Sequence, residues 1–354
     1  MVVYNCTLLM VLILGMLEYQ RRIQKNDFNI SNRYSNVYSY FLLLIFFVVG
    51  GFRFNVGTDY GTYISSYIVP FREIINKIIT LDEPFIYILT VACRMIWDEG
   101  IFVIFVENAI TVLLVFKGIR DNEKGNYTLP LLLFIMYCGW TSSFNAVRQS
   151  MAGAFIFAFA RQINGKKGVL RCIIVCFVAF LIHKSAIFMI PLLILANRKI
   201  TFKQILLISG IALIFPSFVN HALEFMDTSL DNGYATNSVN IIRILVAMVP
   251  AILALISNKK FKEQNYFLVN MALINFMITL VTRNSALLYR FSDYTVMYLM
   301  LFIPKCKSIF TKESRKIFNI LVVVLFYIYF VYEVSSGNGN LSDFQWSFSH
   351  FGQF

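Results

Sequence analysis

The chain has 354 residues, 58% of them hydrophobic and 14% charged, against about 25% charged in an average soluble domain. With a mean hydropathy of +0.68 and apolar runs from Met1 to about Val334, no block is polar enough to fold separately in water. A soluble protein is therefore excluded, and residues 1–354 read as a single integral membrane domain. The net charge of +12 invites a nucleic-acid partner, but in a membrane protein the positive charges belong first to the cytoplasmic loops.

A bilayer span takes roughly 20 mostly apolar residues, fewer where flanking side chains snorkel. In chain order such segments lie at about Val2–Tyr19, Ser39–Phe52, Ile101–Phe116, Tyr127–Ser143, Val147–Ile163, Val169–Ile182, Ser185–Ala196, Lys203–Val219, Ile241–Ile256, Tyr266–Val281, Ala286–Ile303 and Ile317–Tyr332. The expected architecture is an all-α polytopic protein of about 12 transmembrane helices. The sixth and seventh segments form one apolar stretch interrupted by His183 and Lys184; a turn at His183 makes them two short passes. The first segment has no basic region before it and runs into the basic loop Gln20–Arg33, so it reads as a span rather than a cleaved signal peptide. Pro84–Trp97 is apolar but short, flanked by acidic pairs and broken by Arg94. It reads as an interfacial helix in a large outer loop, residues 53–100. A second outer loop covers 220–240 and an outer tail covers 335–354.

With the N-terminus outside, the inner loops collect 22 of the 31 basic residues, as the positive-inside rule requires, and both termini fall outside. The net charge is mostly topology, and nothing in it calls for nucleic acid. The basic residues left over are Arg53, Arg72, Lys77, Arg94, Arg148, Lys184, Arg243, Arg283 and Arg290. Solvation explains Arg72, Lys77 and Arg94 in the loop. Arg53, Arg148, Arg243, Arg283 and Arg290 fall instead at the outer ends of five different segments. Each alone could be snorkelling to headgroups. Five at one depth form a ring of planar, permanently charged donors suited to a lipid-linked phosphate or diphosphate.

The densest outer segment is Arg53-Phe54-Asn55-Val56-Gly57-Thr58-Asp59-Tyr60-Gly61-Thr62-Tyr63. The pattern R-x-x-x-G-x-D-Y-x-x-Y (Arg53, Gly57, Asp59, Tyr60, Tyr63) is followed by N-x-x-R-Q (Asn145, Arg148, Gln149). Next come H-x-S-A (His183, Ser185, Ala186) and R-x-x-x-Y (Arg290, Tyr294). In this order the set resembles the EpsG family of Wzy-type polysaccharide polymerases. The tail departs from the aromatic-proline-aromatic endings of several relatives: Gly337–Phe354 carries Phe344, Trp346, Phe348 and His350 instead.

The resemblance implies a membrane glycosyltransferase, with a GT-C-like architecture, at the outer face of the bacterial cytoplasmic membrane. It would transfer a growing glycan from undecaprenyl diphosphate to the non-reducing end of a new lipid-linked repeat unit. The implied partners are the two lipid-linked oligosaccharides, the bilayer and a chain-length regulator. Such chemistry needs charge stabilisation for the leaving diphosphate and a base for the acceptor hydroxyl. No DxD pair or His/Asp cluster marks a metal site and no cofactor is called for, so arginines would supply the electrostatics.

Arg148 leads the diphosphate candidates, then Arg290 and Arg53, then Arg283 and Arg243; Gln149, Asn145, Tyr60, Tyr63 and Tyr294 would contact substrate. Two readings of Arg53 stand side by side, a ligand group and an ion pair with Asp59. Asp59 and His183 compete as the base. A carboxylate among arginines is a weakened base; histidine titrates intrinsically near neutrality, although a lone histidine at a kink is more often structural. Glu107, inside the third segment, is costly there unless neutral or hydrogen-bonded. A lipid-linked oligosaccharide flippase, an O-antigen ligase and a membrane acyltransferase remain as other readings.

Overall fold

The computed structural model describes residues 1–24, 37–123, 126–160, 165–198, 238–337 and 339–350. The expected span Lys203–Val219, most of the loop 220–240 and the last residues of the tail lie outside the described residues. So do Lys25, Arg33, Lys124, Arg161, Lys199 and Lys203.

Helices dominate: α1 Val2–Gln24, α2 Val37–Gly51, α3 Tyr60–Tyr67, α4 Phe71–Ile79, α5 Pro84–Arg94, α6 Gly100–Asn122, α7 Thr128–Met136 and α8 Gly139–Asn145. They continue with α9 Val147–Phe159, α10 Gly165–Ile182, α11 Met189–Ala196, α12 Ile241–Ile256, α13 Lys259–Val281, α14 Ala286–Tyr289, α15 Asp293–Lys305 and α16 Ser314–Ser335. Among the described residues, α1, α6, α13 and α16 are long and apolar enough to cross a membrane, and α2, α5 and α12 are shorter apolar helices. Leu9, Ile13 and Met16 on α1 and Ile317, Leu321, Val324 and Ile328 on α16 are exposed. Such apolar outward faces are what a lipid surround accommodates and water does not. The protein is an all-α membrane protein.

The exception to all-α is a two-residue antiparallel ladder of β1, Arg53–Phe54, with β2, Gln345–Trp346. It stitches the C-terminal tail to the first motif. At the same end of the bundle the start of α1 meets both the tail and the end of α16, because Tyr4 packs edge-on against Phe344 and Phe330. Helix packing below is close. At Gly118 of α6 an added Cβ would lie 2.3 Å from the Phe157 ring of α9; small residues let helix backbones approach in this way.

Two expected segments are interrupted, and a third break falls at His183, where a turn is expected. The fourth breaks at Cys138, whose φ of 61° separates α7 from α8. The helix α10 ends at Ile182, His183 is extended, and a 3-10 turn Lys184–Phe188 leads into α11, so the chain does break at His183. A 3-10 turn, Arg290–Ser292, separates α14 from α15. The loop 53–100 holds three helices rather than one. Among them α4 is the most two-faced, burying Ile74 while Phe71, Ile75 and Ile79 are exposed. Solvation does not account for Arg94: its guanidinium donates to the carbonyls of Tyr67 (3.0 Å) and Val69 (2.6 Å), closing the end of α3.

Candidate active site

The four motif segments, far apart in the chain, converge at the end of the bundle where the tail docks. Gly57 carries a φ of 104°, and an added Cβ would sit 2.7 Å from the Phe144 carbonyl. Only glycine lets this loop lie against the end of α8. That approach brings Asn145 to Thr58: Asn145 Oδ1 accepts from the Thr58 backbone N–H and from Thr58 Oγ1 (2.9 Å). Tyr63 Oη donates to the Asn145 carbonyl (3.2 Å). Gln149 Nε2 donates to the Arg290 carbonyl, joining the second segment to the fourth. Tyr294 and Ser185 hydroxyls are 2.8 Å apart, joining the fourth to the third.

A cavity with both polar and apolar walls opens here, lined by Thr58, Asn145, Arg243, Asn275, Tyr289, Arg290, Asp293 and Glu333 among others. Its two arginines are already engaged. Arg290 Nη2 donates to Asp59 Oδ2 at 3.2 Å, and Thr58 Oγ1, which shares its one hydrogen with Asn145 Oδ1, lies 3.1 Å from Asp59 Oδ1. Asp59, at the start of α3, is 30% exposed and its partner Arg290 28%, so this pair sits where a ligand can reach it. Arg243 holds Glu333 in a fork, Nε to Oε1 at 3.0 Å and Nη2 to Oε2 at 2.7 Å, and lies over the Tyr289 ring.

Beside the cavity lies a second cluster organised by Glu83. Glu83 is itself in the left-handed region, φ 54°, immediately before Pro84 at the start of α5. Its Oε2 accepts from Arg148 Nη1 (3.2 Å), its Oε1 accepts from the Lys184 backbone N–H (3.2 Å), and His183 Nδ1 lies 2.6 Å from Oε1. Burial alone would raise the Glu83 carboxyl; the contacts with His183, Lys184 and Arg148 outweigh it and hold the group below its ordinary value. Arg148 also faces the rings of Tyr63 and Tyr87 and reaches Ser66 Oγ. Tyr63 bridges both clusters, its hydroxyl pushed up to about 12 by burial first and by Asp59 second.

The profile of the EpsG family matches residues 36–347, which takes in all four segments. The chain belongs to the EpsG family. EpsG is a family of Wzy-type polymerases, and membership supports a polysaccharide-polymerase type of function. No curated protein and no solved structure matches the chain.

In this EpsG-family chain the outer arginines do not form one ring. Arg243 and Arg290 line the cavity, and Arg148 stands in the adjoining cluster. Arg53 lies beneath, 2% exposed, donating to the Gly50 carbonyl with its guanidinium over the Phe144 ring. Burial works against its charge and lowers its pKa, while nearby Glu107 acts the other way. The expected Arg53–Asp59 ion pair is replaced by Arg290–Asp59, because the turn at Gly57 swings Asp59 over the cavity while Arg53 stays in the ladder. Arg283 lies in the turn after α13 with an exposed side chain, away from the cavity lining. Tyr60 is 3% exposed, its ring edge-on to Phe54. Glu107, in α6, accepts from Tyr67 Oη at 2.8 and 2.7 Å, the hydrogen-bonded state that its depth requires.

Sequence reasoning passed over Glu83, Asp293, Glu333 and the tail. Glu83 had one signal, since His183, Lys184 and Arg148 needed a counter-ion. The tail had none. Its Asn340 carbonyl accepts from Gly57 N–H (3.1 Å), the Gly339 carbonyl accepts from Asn145 Nδ2 (3.4 Å), and His350 stacks on Phe54 at 3.5 Å. Among the described residues no three His, Cys, Asp or Glu side chains gather as a metal-ligand set.

Proposed function

We propose that this protein polymerises lipid-linked oligosaccharide repeat units at the outer face of the bacterial cytoplasmic membrane, with about twelve spans and both termini outside. The donor is a glycan on undecaprenyl diphosphate and the acceptor is the non-reducing-end hydroxyl of a new repeat unit, extending an O-antigen or capsule chain. The observation that carries the reading is the meeting of four separated motif segments, three of which line the cavity through Thr58, Asn145 and Arg290, with the partly exposed Arg290–Asp59 pair at its edge. An arginine held by a carboxylate keeps its geometry before substrate arrives and exchanges partner when a diphosphate oxygen is presented. Arg290 and Arg243 line the cavity, and Arg148, adjoining through Tyr63, completes the cationic side. They stabilise the leaving diphosphate without a metal ion. The cavity amides and tyrosines offer the hydrogen bonds and ring faces that sugars use. Asp59, committed to Arg290, acts on that arginine's position. His183, against Glu83, serves the Arg148 cluster.

The test is the glycan size ladder of a deletion strain carrying Arg290→Ala or Arg148→Ala. Each variant should reach the membrane yet leave surface glycan as single repeat units, a loss of roughly 100-fold or more in polymerisation. Long chains in both variants would remove the reading. Loss of all surface glycan on deletion would instead indicate a transporter.

A further inference from the structure

Three carboxylates surround the two arginines of the cavity, and they are not equivalent. Asp59 accepts from Arg290, with Thr58 Oγ1 beside it. Both oxygens of Glu333 are taken by the Arg243 fork, and Glu333 is only 7% exposed. Asp293 lines the same cavity, yet its side chain makes no hydrogen bond or ion pair among the described residues. It opens the 13-residue helix α15. Among the three carboxylates Asp293 is the uncommitted one, and with Asn275 Oδ1, also unpartnered among the described residues, on the same wall it leaves polar atoms that a ligand completes.

Resting on the polymerase reading above, we propose that Asp293 is the base that takes the proton from the acceptor hydroxyl. The hydroxyl oxygen forms a bond to the anomeric carbon of the donor sugar while its proton passes to the Asp293 carboxylate. The bond from that carbon to the diphosphate oxygen breaks, and its electron pair leaves with the lipid diphosphate. The protonated Asp293 later returns the proton to water at the cavity mouth. Charge supports the assignment. Two arginines facing three carboxylates leave a surplus negative charge that opposes a diphosphate. Neutralising Asp293 during the transfer removes that surplus as negative charge develops on the leaving oxygens. Asp59 and Glu333 are engaged with Arg290 and Arg243 before substrate arrives, whereas Asp293 holds neither arginine.

The experiment uses membranes from a deletion strain expressing the full chain, supplied with lipid-linked repeat units extracted from that strain. If the deletion leaves long chains unaffected, the polymerase reading itself fails. If the deletion leaves single units, the variants decide the role of Asp293. Asp293→Asn, close in shape, should accumulate in the membrane and lengthen chains at least about 100-fold more slowly. Asp293→Ala should be equally slow and recover in part with added formate, which supplies a small carboxylate and would not repair a packing defect. Asp293→Asn within about tenfold of the unmodified chain, a margin well below a general base's usual contribution, overturns the proposal. So does an Asp293→Ala loss that formate leaves unchanged.

Discussion

Where the four motif segments meet, arginines find their carboxylates across the chain: Arg148 reaches Glu83 over 65 residues, Arg243 reaches Glu333 over 90, and Arg290 reaches Asp59 over 231. At the opposite end of the same helices Arg22 pairs with Glu18 and Lys117 with Asp121, each four residues away on one helix. Lys305 with Glu123, at 3.4 Å, is the long-range contact described there. Pairs spaced i, i+4 follow from helix geometry, and the partly exposed Lys117–Asp121 pair adds little. The long-range pairs exist only because the fold collects them, and they hold together the elements that shape the cavity. The pairs of one end are set by neighbouring turns of a helix, while those of the other are set by the fold.

The sharpest way to break this contrast is Arg243→Ala. It leaves Glu333 buried without its counter-ion, and removing one partner of a buried pair costs about 3 kcal/mol or more. A melt in detergent should fall accordingly, and adding Glu333→Gln should recover much of the loss; an unchanged melt for the single variant would dissolve the distinction. Gly57→Ala comes next. The strained φ and the clash with the Phe144 carbonyl predict a loss of roughly 1–3 kcal/mol. The change should concentrate in residues 53–58 and 339–346, read as faster hydrogen exchange there and not in α6.

Glu83 offers a smaller effect with a defined sign. Its carboxyl is held below its ordinary value in the fold, so its stabilisation is complete above the unfolded pKa and is lost as pH falls through the folded one. Glu83→Gln should remove roughly 1.5 kcal/mol near neutrality, as expected for hydrogen bonds to a charged group. It should also flatten the acid limb of the stability profile; an acid limb identical to that of the unmodified chain would show that another carboxylate governs it. Smallest is Lys117→Ala at the other end, where loss of a partly exposed i, i+4 pair should shift stability by no more than about 0.5 kcal/mol. A loss comparable to that of Arg243→Ala would erase the difference between the two ends.

Much of the helical layout was legible because apolar runs of bilayer length have few other uses. The break at His183 was legible too, since a histidine and a lysine interrupt an otherwise apolar stretch. The breaks at Cys138 and at Arg290–Ser292 were not, because neither carries a glycine or proline signal. Asp59 and Arg290 were both recognisable as site candidates, but their pairing was not. Arg53 is the nearer arginine in sequence, and only the turn at Gly57 directs the carboxylate away from it. Glu83 looked like one half of an acidic flank to an interfacial segment; its αL backbone and the helix start at Pro84 turn it inward.

The sequence by itself determined that the protein lives in a membrane, roughly where its helices run, and which four segments resemble the family's motifs. Hydropathy and residue type are local properties, and local properties survive in a one-dimensional reading. Tertiary structure alone decided which arginine meets which carboxylate, that the tail straps the first motif, and that Asp293 faces the cavity with its oxygens uncommitted. Those outcomes depend on the packing of helices far apart in the chain, where a few ångströms separate an ion pair from an open ligand.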